Sequence, residues 1–239
     1  MKKKAVAVVM TAVMALGMVS AVSVQAGIED KTLIVGFDAE YPPYGYMDEN
    51  GEYTGFDLEL AQAVCDLEKK PINWDSKDME LNSGSIDCIW NGFTMNGRED
   101  DYTFSEPYVD NSQVIVVADD SGIEKLTDLA GKTVGVQAAS AALDLLQSEE
   151  EGGQKELADT FGALNEFADY NTAFTELQAG ALDALAIDVG VAKYQLNSRG
   201  EGFKILDETL NTEQYAIGFK KGNTELCDIV NADLQKLAD

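Results

Sequence analysis

Two stretches of the sequence, residues 81–91 and 177–188, repeat one short pattern. In LNSGSIDCIWN and LQAGALDALAID, leucine is followed by two residues, glycine, a spacer, an apolar residue and aspartate, and then by a short apolar run. Glycine after a helical segment is typical of a left-handed helix end, and the apolar run is typical of a buried strand. The repeated helix-to-strand connection therefore predicts two similar α/β lobes.

Residues 1–26 have the pattern of an export signal. Three lysines at positions 2–4 precede a small, apolar stretch over residues 5–21, and Val24-Gln25-Ala26 supplies the small residues that a signal peptidase needs. Cleavage is expected before Gly27. The apolar run is too short to favour a membrane span, and no cysteine near the cleavage site offers a lipid anchor. The sequence predicts an exported protein, periplasmic or extracellular and associated with the cell surface.

Charge and residue usage exclude several classes of function. The formal net charge of −26 argues against binding nucleic acid or anionic membranes. The chain has no histidine, which excludes imidazole catalysis, a hydrolase triad and zinc sites that use imidazole. The odd number of cysteines (Cys65, Cys88 and Cys227) predicts buried thiols and not a disulfide framework. No metal and no cofactor is expected.

Hydrophobic periodicity predicts alternating strands and helices. Asn50-Gly51 predicts a hairpin, and residues 157–167 give no clear pattern. The predicted strands are residues 31–37, 86–90, 112–118, 133–137, 184–187, 203–206 and 215–219. The predicted helices are residues 56–65, 75–83, 123–130, 140–150, 172–179 and 189–196, with a last one from residue 224 onward.

Polar groups follow the predicted strand 86–90 at once. Asn91-Gly92 leaves the strand, Thr94 presents a hydroxyl, and Arg98 is one of only two arginines in the chain. Ligands of open α/β sheets bind outside the carboxyl ends of strands, where a guanidinium fits a carboxylate. The alternative is an ordinary surface pair between Arg98 and Glu99 or Asp101.

Other predicted strand ends carry complementary groups. Ser140 precedes a helix whose first N–H groups can receive an anion, whereas Asp38 and Asp188 can receive a cation. Tyr41 and Trp74 supply flat apolar walls. Together these groups are complementary to a zwitterion. Taken singly, Asp38 can also be a turn cap, Ser140 an ordinary helix cap and Trp74 plain core.

Six motifs in chain order resemble the extracellular solute-binding proteins of the polar amino-acid family (family 3), the binding components of ABC importers. They are VGFDAEYPPYGY (35–46), GEYTGFDLELAQAV (51–64), GSIDCIWNGFTMNGRE (84–99), FSEPY (104–108), DLAGKTVGVQ (128–137) and LQAGALDALAID (177–188). The resemblance implies a type II periplasmic-binding-protein fold, in which two lobes with mostly parallel sheets flanked by helices are joined by two crossing strands. Lobe one would comprise residues 28–110 and 212–239, and lobe two residues 113–210.

The resemblance also implies the roles of the site residues. Arg98 and Thr94, with Ser140, would hold the α-carboxylate of an amino acid. Asp188 and the backbone around Gly92, next to Asn91, would hold the α-ammonium. Tyr41 and Trp74 would sandwich the side chain, and Asp38 would meet a polar or cationic side-chain end. The expected partners are a free amino acid and the permease subunits of an ABC transporter, and the expected state is a monomer.

The chain departs from the family pattern in four places. The connection from Thr94 to Arg98 is one residue short, Ala139 and Ala141 replace the usual Gly and Ser or Thr, the segment from Cys65 to Asp75 lacks about five residues, and the sequence ends early at Asp239.

Three alternatives stay open: an enzyme on the same scaffold, such as a cyclohexadienyl-dehydratase-like protein, the sensor domain of a membrane receptor, and a truncated, non-functional copy. The passive receptor is the first hypothesis.

Overall fold

The computed structural model describes residues 32–238, so the predicted export signal, residues 27–31 and Asp239 lie outside the described residues. The strands are β1 (Leu33–Phe37), β2 (Glu40–Tyr41), β3 (Gly45–Met47), β4 (Tyr53–Thr54), β5 (Leu67–Pro71), β6 (Cys88–Ile89), β7 (Tyr102–Phe104), β8 (Val109–Ala118), β9 (Thr133–Gln137), β10 (Ala163–Phe167), β11 (Ala184–Asp188), β12 (Phe203–Ile205), β13 (Asn211–Tyr215) and β14 (Gly218–Lys220). The helices are α1 (Phe56–Val64), α2 (Lys77–Ser83), α3 (Ala141–Gln147), α4 (Lys155–Ala158), α5 (Tyr170–Gln178), α6 (Val189–Arg199) and α7 (Thr224–Ala238).

The first sheet has the strand order β5-β1-β6-β14-β7. Strand β1 pairs in parallel with β5 and β6, while β14 pairs antiparallel with β6 and β7. Its two faces bury separate clusters, with Val35 and Cys88 in one and Ile86 and Ile89 in the other. A small antiparallel sheet, β2-β3-β4, projects from it and contains the hairpin expected at Asn50-Gly51.

The second sheet has the order β10-β9-β11-β8-β12. Strands β10, β9 and β11 are parallel, and β8 runs antiparallel to β11 and β12. The β-branched run of β8 alternates between the two faces: Val114 and Val116 enter one cluster, and Ile115 and Val117 enter the other. Each sheet thus has a core of three parallel strands with antiparallel strands beside it, which confirms the predicted α/β fold.

Two strands carry the chain between the sheets. Strand β8 begins at Val109, directly after the first sheet, and β13 pairs with it antiparallel from Asn211↔Gln113 to Tyr215↔Val109. The two strands remain paired up to the first sheet, where Tyr108 N–H donates to the Tyr215 carbonyl at 3.0 Å. We describe the parts on either side as lobe one, which holds the first sheet, and lobe two, which holds the second.

Several predicted elements need correction. The predicted strand 215–219 is two strands, because the pairing of β13 with β8 ends at Tyr215 and that of β14 starts at Gly218. The predicted helix 123–130 is only a 3-10 turn over Leu126–Leu129. The unclear segment 157–167 contains the end of α4 and strand β10. Helix α5 begins at Tyr170, two residues before the predicted start, and the side chain of Asp169 caps it by accepting from Thr172 N–H.

The short segment between Cys65 and Asp75 still forms a strand. Strand β5 lies within it and pairs with β1 along its whole length, from Leu33↔Leu67 to Phe37↔Pro71. Gly84 ends α2 in the predicted left-handed conformation, with φ of 78°. Among residues 32–238, no helix has the length and hydrophobicity that a membrane crossing needs.

Candidate functional site

The structure brings seven of the nine predicted site residues around one cavity between the lobes. The cavity holds about 10 Å³, roughly the space that one water needs. The seven are Tyr41, Trp74, Gly92, Thr94, Arg98, Ser140 and Asp188, and Gln137 and Ala141 complete the lining. The cleft is therefore closed, with groups from both lobes in contact.

Two predicted residues lie outside this cavity. Asp38 is 6% exposed and borders the next chamber along the cleft, of about 380 Å³. Asn91 is buried, and its amide has no hydrogen-bond partner. A Cβ on Gly45 would clash with its side-chain oxygen, so Asn91 packs closely against β3.

The Arg98 side chain is bonded across the cleft and not to the acidic side chains that follow it in the sequence. One terminal nitrogen contacts Asp144 Oδ2 on α3 at 2.6 Å, and the guanidinium lies 5.0 Å from the centre of the Phe93 ring. The alternative of a pair with Glu99 or Asp101 is thus wrong. The side chain is only 12% exposed and borders both the cavity and a chamber of about 730 Å³.

Asp188 and Glu213 form a buried acidic pair at the base of the cavity. The amide nitrogens of Asn111 and Gln113 each donate to both Asp188 Oδ1 and Glu213 Oε1, at 2.7–2.8 Å. Tyr215 O–H donates to Asp188 Oδ1 at 2.7 Å. Burial, followed by the charge of Asp188, raises the pKa of Glu213. The two amides from β8 thus hold two carboxyl groups of different strands together.

The hydroxyl of Thr94 has a fixed direction. It donates to Glu213 Oε1 at 2.8 Å, and that oxygen already accepts from Asn111 and Gln113, so it acts only as an acceptor. Thr94 therefore has no proton left for a ligand carboxylate. Its remaining lone pairs suit an N–H donor such as an ammonium.

Gly92 is held by a buried acid. Its N–H donates to Asp57 Oδ2, which also accepts from Tyr108 O–H at 2.9 Å. Asp57 is fully buried in the first turn of α1, and burial raises its pKa to about 7. Gly92 has φ of 56°, and a Cβ there would lie 2.9 Å from Tyr41 Cε1, so both conformation and space favour glycine.

Trp74 contacts a buried lysine, Lys77, that the sequence reasoning missed. Lys77 is 5% exposed, its Nζ lies 5.2 Å from the centre of the Trp74 ring, and it donates to the Ala139 carbonyl across the cleft at 3.1 Å. Burial, followed by the charge of Arg98, lowers the pKa of Lys77. Ala139 has φ of 54°, a left-handed conformation that explains why glycine is expected at this position.

Ser140 caps α3 as predicted, with its Oγ accepting from Leu143 N–H at 3.1 Å.

Tyr41 packs against Tyr44 and Tyr170, with ring centroids 5.8 and 6.0 Å away, and forms an aromatic wall. Its O–H lies 3.4 Å from Tyr215 O–H.

Besides Lys77, four polar residues that sequence reasoning missed shape the site: Glu213, Asn111, Gln113 and Gln137. Three of them are polar residues inside strand segments, where a buried polar side chain needs a partner. Asn111 and Gln113 stand at alternate positions of one strand, which places them on one face. That spacing was the available signal.

Comparison with known proteins gives a consistent result. Residues 33–239 match the model of the bacterial extracellular solute-binding proteins, family 3. The chain is 29% identical to an L-cystine-binding protein of Escherichia coli, over 94% of this chain and 88% of that protein. It is 34% identical to an arginine-binding extracellular protein of Bacillus subtilis, over 87% of this chain and 82% of that protein.

A solved structure supports the same relationship. An ABC uptake transporter substrate-binding protein of Streptococcus pneumoniae with bound histidine superposes with a TM-score of 0.81. The sequences are 33% identical, and the match covers 87% of each chain.

Proposed function

Because the chain belongs to the bacterial extracellular solute-binding proteins of family 3, we propose that its cleft holds one free amino acid with a cationic side chain. The chain binds an amino acid for ABC-type import, as its relatives' names and its structural neighbours support. The observation that carries the finer proposal is the distribution of charge along the cleft.

One part of the cleft suits the amino-acid head group. Arg98 offers a guanidinium to the α-carboxylate, and the Ser140 hydroxyl, which accepts from Leu143, keeps its proton for a carboxylate oxygen. Asp188 and the lone pairs of Thr94 suit the α-ammonium. The proposal therefore assigns Thr94 to the α-ammonium, whereas the sequence resemblance assigns it to the α-carboxylate. Tyr41 and Trp74 flank the stem between them.

The other part suits a positive side-chain end. The chamber beyond Trp74 is lined by four carboxylates, and these are all of its charged lining residues: Asp38, Glu40, Asp75 and Asp169. A cation there gains Coulomb attraction in a partly desolvated site. The second end of cystine carries both an ammonium and a carboxylate, so it has no net positive charge and would place its carboxylate among these acids. Arginine and lysine therefore fit this chamber better.

Entry requires that the lobes separate, because about 10 Å³ is far too little for an amino acid. Hinge motion at β8 and β13 would open the cleft, and ligand contacts from both sides would favour closure. In this proposal, lobe one is residues 28–110 plus 212–239 and lobe two is residues 113–210. The closed form docks on the permease as a monomer after export and cleavage before Gly27.

Binding, and not catalysis, is the role that the relatives' names support. No arrangement in the described part of the chain favours the dehydratase alternative over a receptor.

A thermal-melt screen of residues 27–239 against the twenty amino acids at millimolar concentration tests the proposal. A ligand that binds only the native state raises the melting temperature by mass action. We expect the largest rise with L-arginine or L-lysine. A cooperative melt that no amino acid shifts would contradict amino-acid binding, and a rise only with acidic or apolar amino acids would contradict the cationic ligand.

A further inference from the structure

Among the described residues, Gln137 is the only residue of lobe two that forms a hydrogen bond with Asp38. It ends β9, is 1% exposed, and lines the same cavity as Arg98 and Asp188. Its Nε2 donates to Asp38 Oδ2 at 2.7 Å and to the Ala168 carbonyl at 3.1 Å. A buried glutamine at the wall between the head-group cavity and the acidic chamber is thus tied to the acid that faces the ligand side chain.

The orientation of this amide is determined by its partners. Both Asp38 Oδ2 and the Ala168 carbonyl accept hydrogen bonds, so the nitrogen must face them. Both amide protons are then used, and only the carbonyl oxygen of Gln137 remains for a ligand. Asp38 also accepts from Glu40 N–H at 2.9 Å. The polar groups of Gln137 and Asp38 that remain at this wall are therefore hydrogen-bond acceptors.

We propose that Gln137 is a specificity-determining residue that holds Asp38 ionised and presents an acceptor-only wall, so that the cleft selects a cationic side-chain end over its neutral isostere. The proposal rests on the proposed function and names what sets its ligand preference. The amide acts through Asp38 and bridges the two lobes when the cleft is closed, so its effect is greatest in the bound state.

The electrostatics around Asp38 support this role. Burial raises the pKa of Asp38 to about 6, while the bonds from Glu40 N–H and from Gln137 lower it. The other charged groups around it are acidic: Asp169 and Glu40 also raise its pKa, and Asp75 lines the same chamber. Loss of the Gln137 bond removes one of the two groups that oppose protonation, so the carboxyl becomes neutral at a higher pH.

The test uses Gln137→Met, which keeps side-chain length and removes the amide, and Gln195→Leu as the matched control. Gln195 is also a buried glutamine and does not line the cavity. It is bonded to Arg199 and to Asn171, which contacts Glu40 and not Asp38. Isothermal titration calorimetry measures binding of L-arginine and of L-citrulline, its uncharged isostere, from pH 5 to 8. Circular dichroism confirms that each variant folds.

We expect the wild type to prefer L-arginine, and Gln137→Met to lose about tenfold or more in arginine affinity while citrulline changes less. The pH midpoint of arginine binding should move upward in Gln137→Met and stay unchanged in Gln195→Leu. Gln137→Glu, which keeps the shape of the side chain, provides a second variant if Gln137→Met does not fold. It should also move the pH midpoint of arginine binding upward, because a second carboxyl against Asp38 raises the pKa of that side chain.

The outcomes separate the two proposals. A wild type that binds neither compound nor any other amino acid overturns the proposed function. A wild type that binds, together with variants whose arginine-to-citrulline ratio and pH midpoint equal those of the wild type, overturns the role of Gln137 alone.

Discussion

The two ends of the cleft differ in the charge of their side chains and in which lobe donates the hydrogen bonds that cross it. At one end, the cations Arg98 and Lys77 of lobe one each donate to lobe two, to Asp144 and to the Ala139 carbonyl. At the other end the donor comes from lobe two, because Gln137 donates to Asp38. This difference gives the cleft a direction along which a zwitterion with a cationic tail has one favourable orientation.

Removal of Arg98 should have the largest effect. We expect Arg98→Ala to weaken amino-acid binding by about 3 kcal/mol or more, because the carboxylate loses a charge-assisted pair in a closed cleft. Calorimetry with L-arginine measures the loss. Arg199→Ala is the matched control, since Arg199 lies on α6 and contacts Gln195 and Phe174. Equal affinities of wild type and Arg98→Ala would show that the contact with Asp144 keeps Arg98 from the ligand.

Neutralising the opposite end should have a smaller and selective effect. Asp38→Asn should weaken L-arginine binding by about 1.5–3 kcal/mol and change L-citrulline binding much less. In the wild type, arginine affinity should rise with pH around 6, where Asp38 ionises. The variant should lose this dependence. An unchanged pH profile in Asp38→Asn would assign it to another group.

The same titration affects stability with the opposite sign. The folded pKa of Asp38 is about 6 and its ordinary value is 3.8, so the folded state holds the proton more tightly. Its contribution to the free energy of unfolding is therefore fully present below about pH 4 and is lost as pH rises through about 6. Urea unfolding of wild type and Asp38→Asn should show a difference that changes over this interval. A constant difference would contradict the assignment.

The second cation should matter less than the first. Lys77→Met replaces a buried ammonium with an apolar side chain of similar length, so the free energy of unfolding should change by about 1 kcal/mol or less. Arginine affinity should fall a few-fold, because the Ala139 carbonyl loses its partner beside Ser140. Lys69→Met is the control, since Lys69 also donates to one backbone carbonyl, that of Tyr53. A loss equal to that of Arg98→Ala would place Lys77 on the ligand itself.

The smallest effect should come from the backbone at this end. Ala139→Gly should raise the free energy of unfolding by about 0.5–1 kcal/mol, because φ of 54° is unfavourable for alanine. Ala138→Gly, one residue earlier, should lower it, since that residue has no positive φ. Chemical denaturation compares the two. A loss in both variants would show that Ala139 carries no strain.

The residues of the cleft that the sequence identified also differ in kind from those that it missed. Residues at strand ends, such as Thr94, Arg98 and Asp188, were identified because a polar group after a buried strand stands out. Glu213 was missed because it lies outside every predicted strand. Gln137 was missed although it ends the predicted strand 133–137, because its partner Asp38 lies 99 positions away in the chain. Lys77 was missed because a lysine on a short helix resembles a solvated charge.

The sequence by itself determined the fold class, the two lobes and most of the residues around the cavity, because strand periodicity, helix caps and strand-end polarity are local patterns. Only the tertiary structure decided which distant groups pair: Arg98 with Asp144 and Asp38 with Gln137 across the cleft, and Thr94 with Glu213 within lobe one. These partners lie 46 to 119 positions apart in the chain. The first two hydrogen bonds depend on lobe closure, and the third depends on the antiparallel approach of β13 to Thr94. No local pattern encodes either geometry.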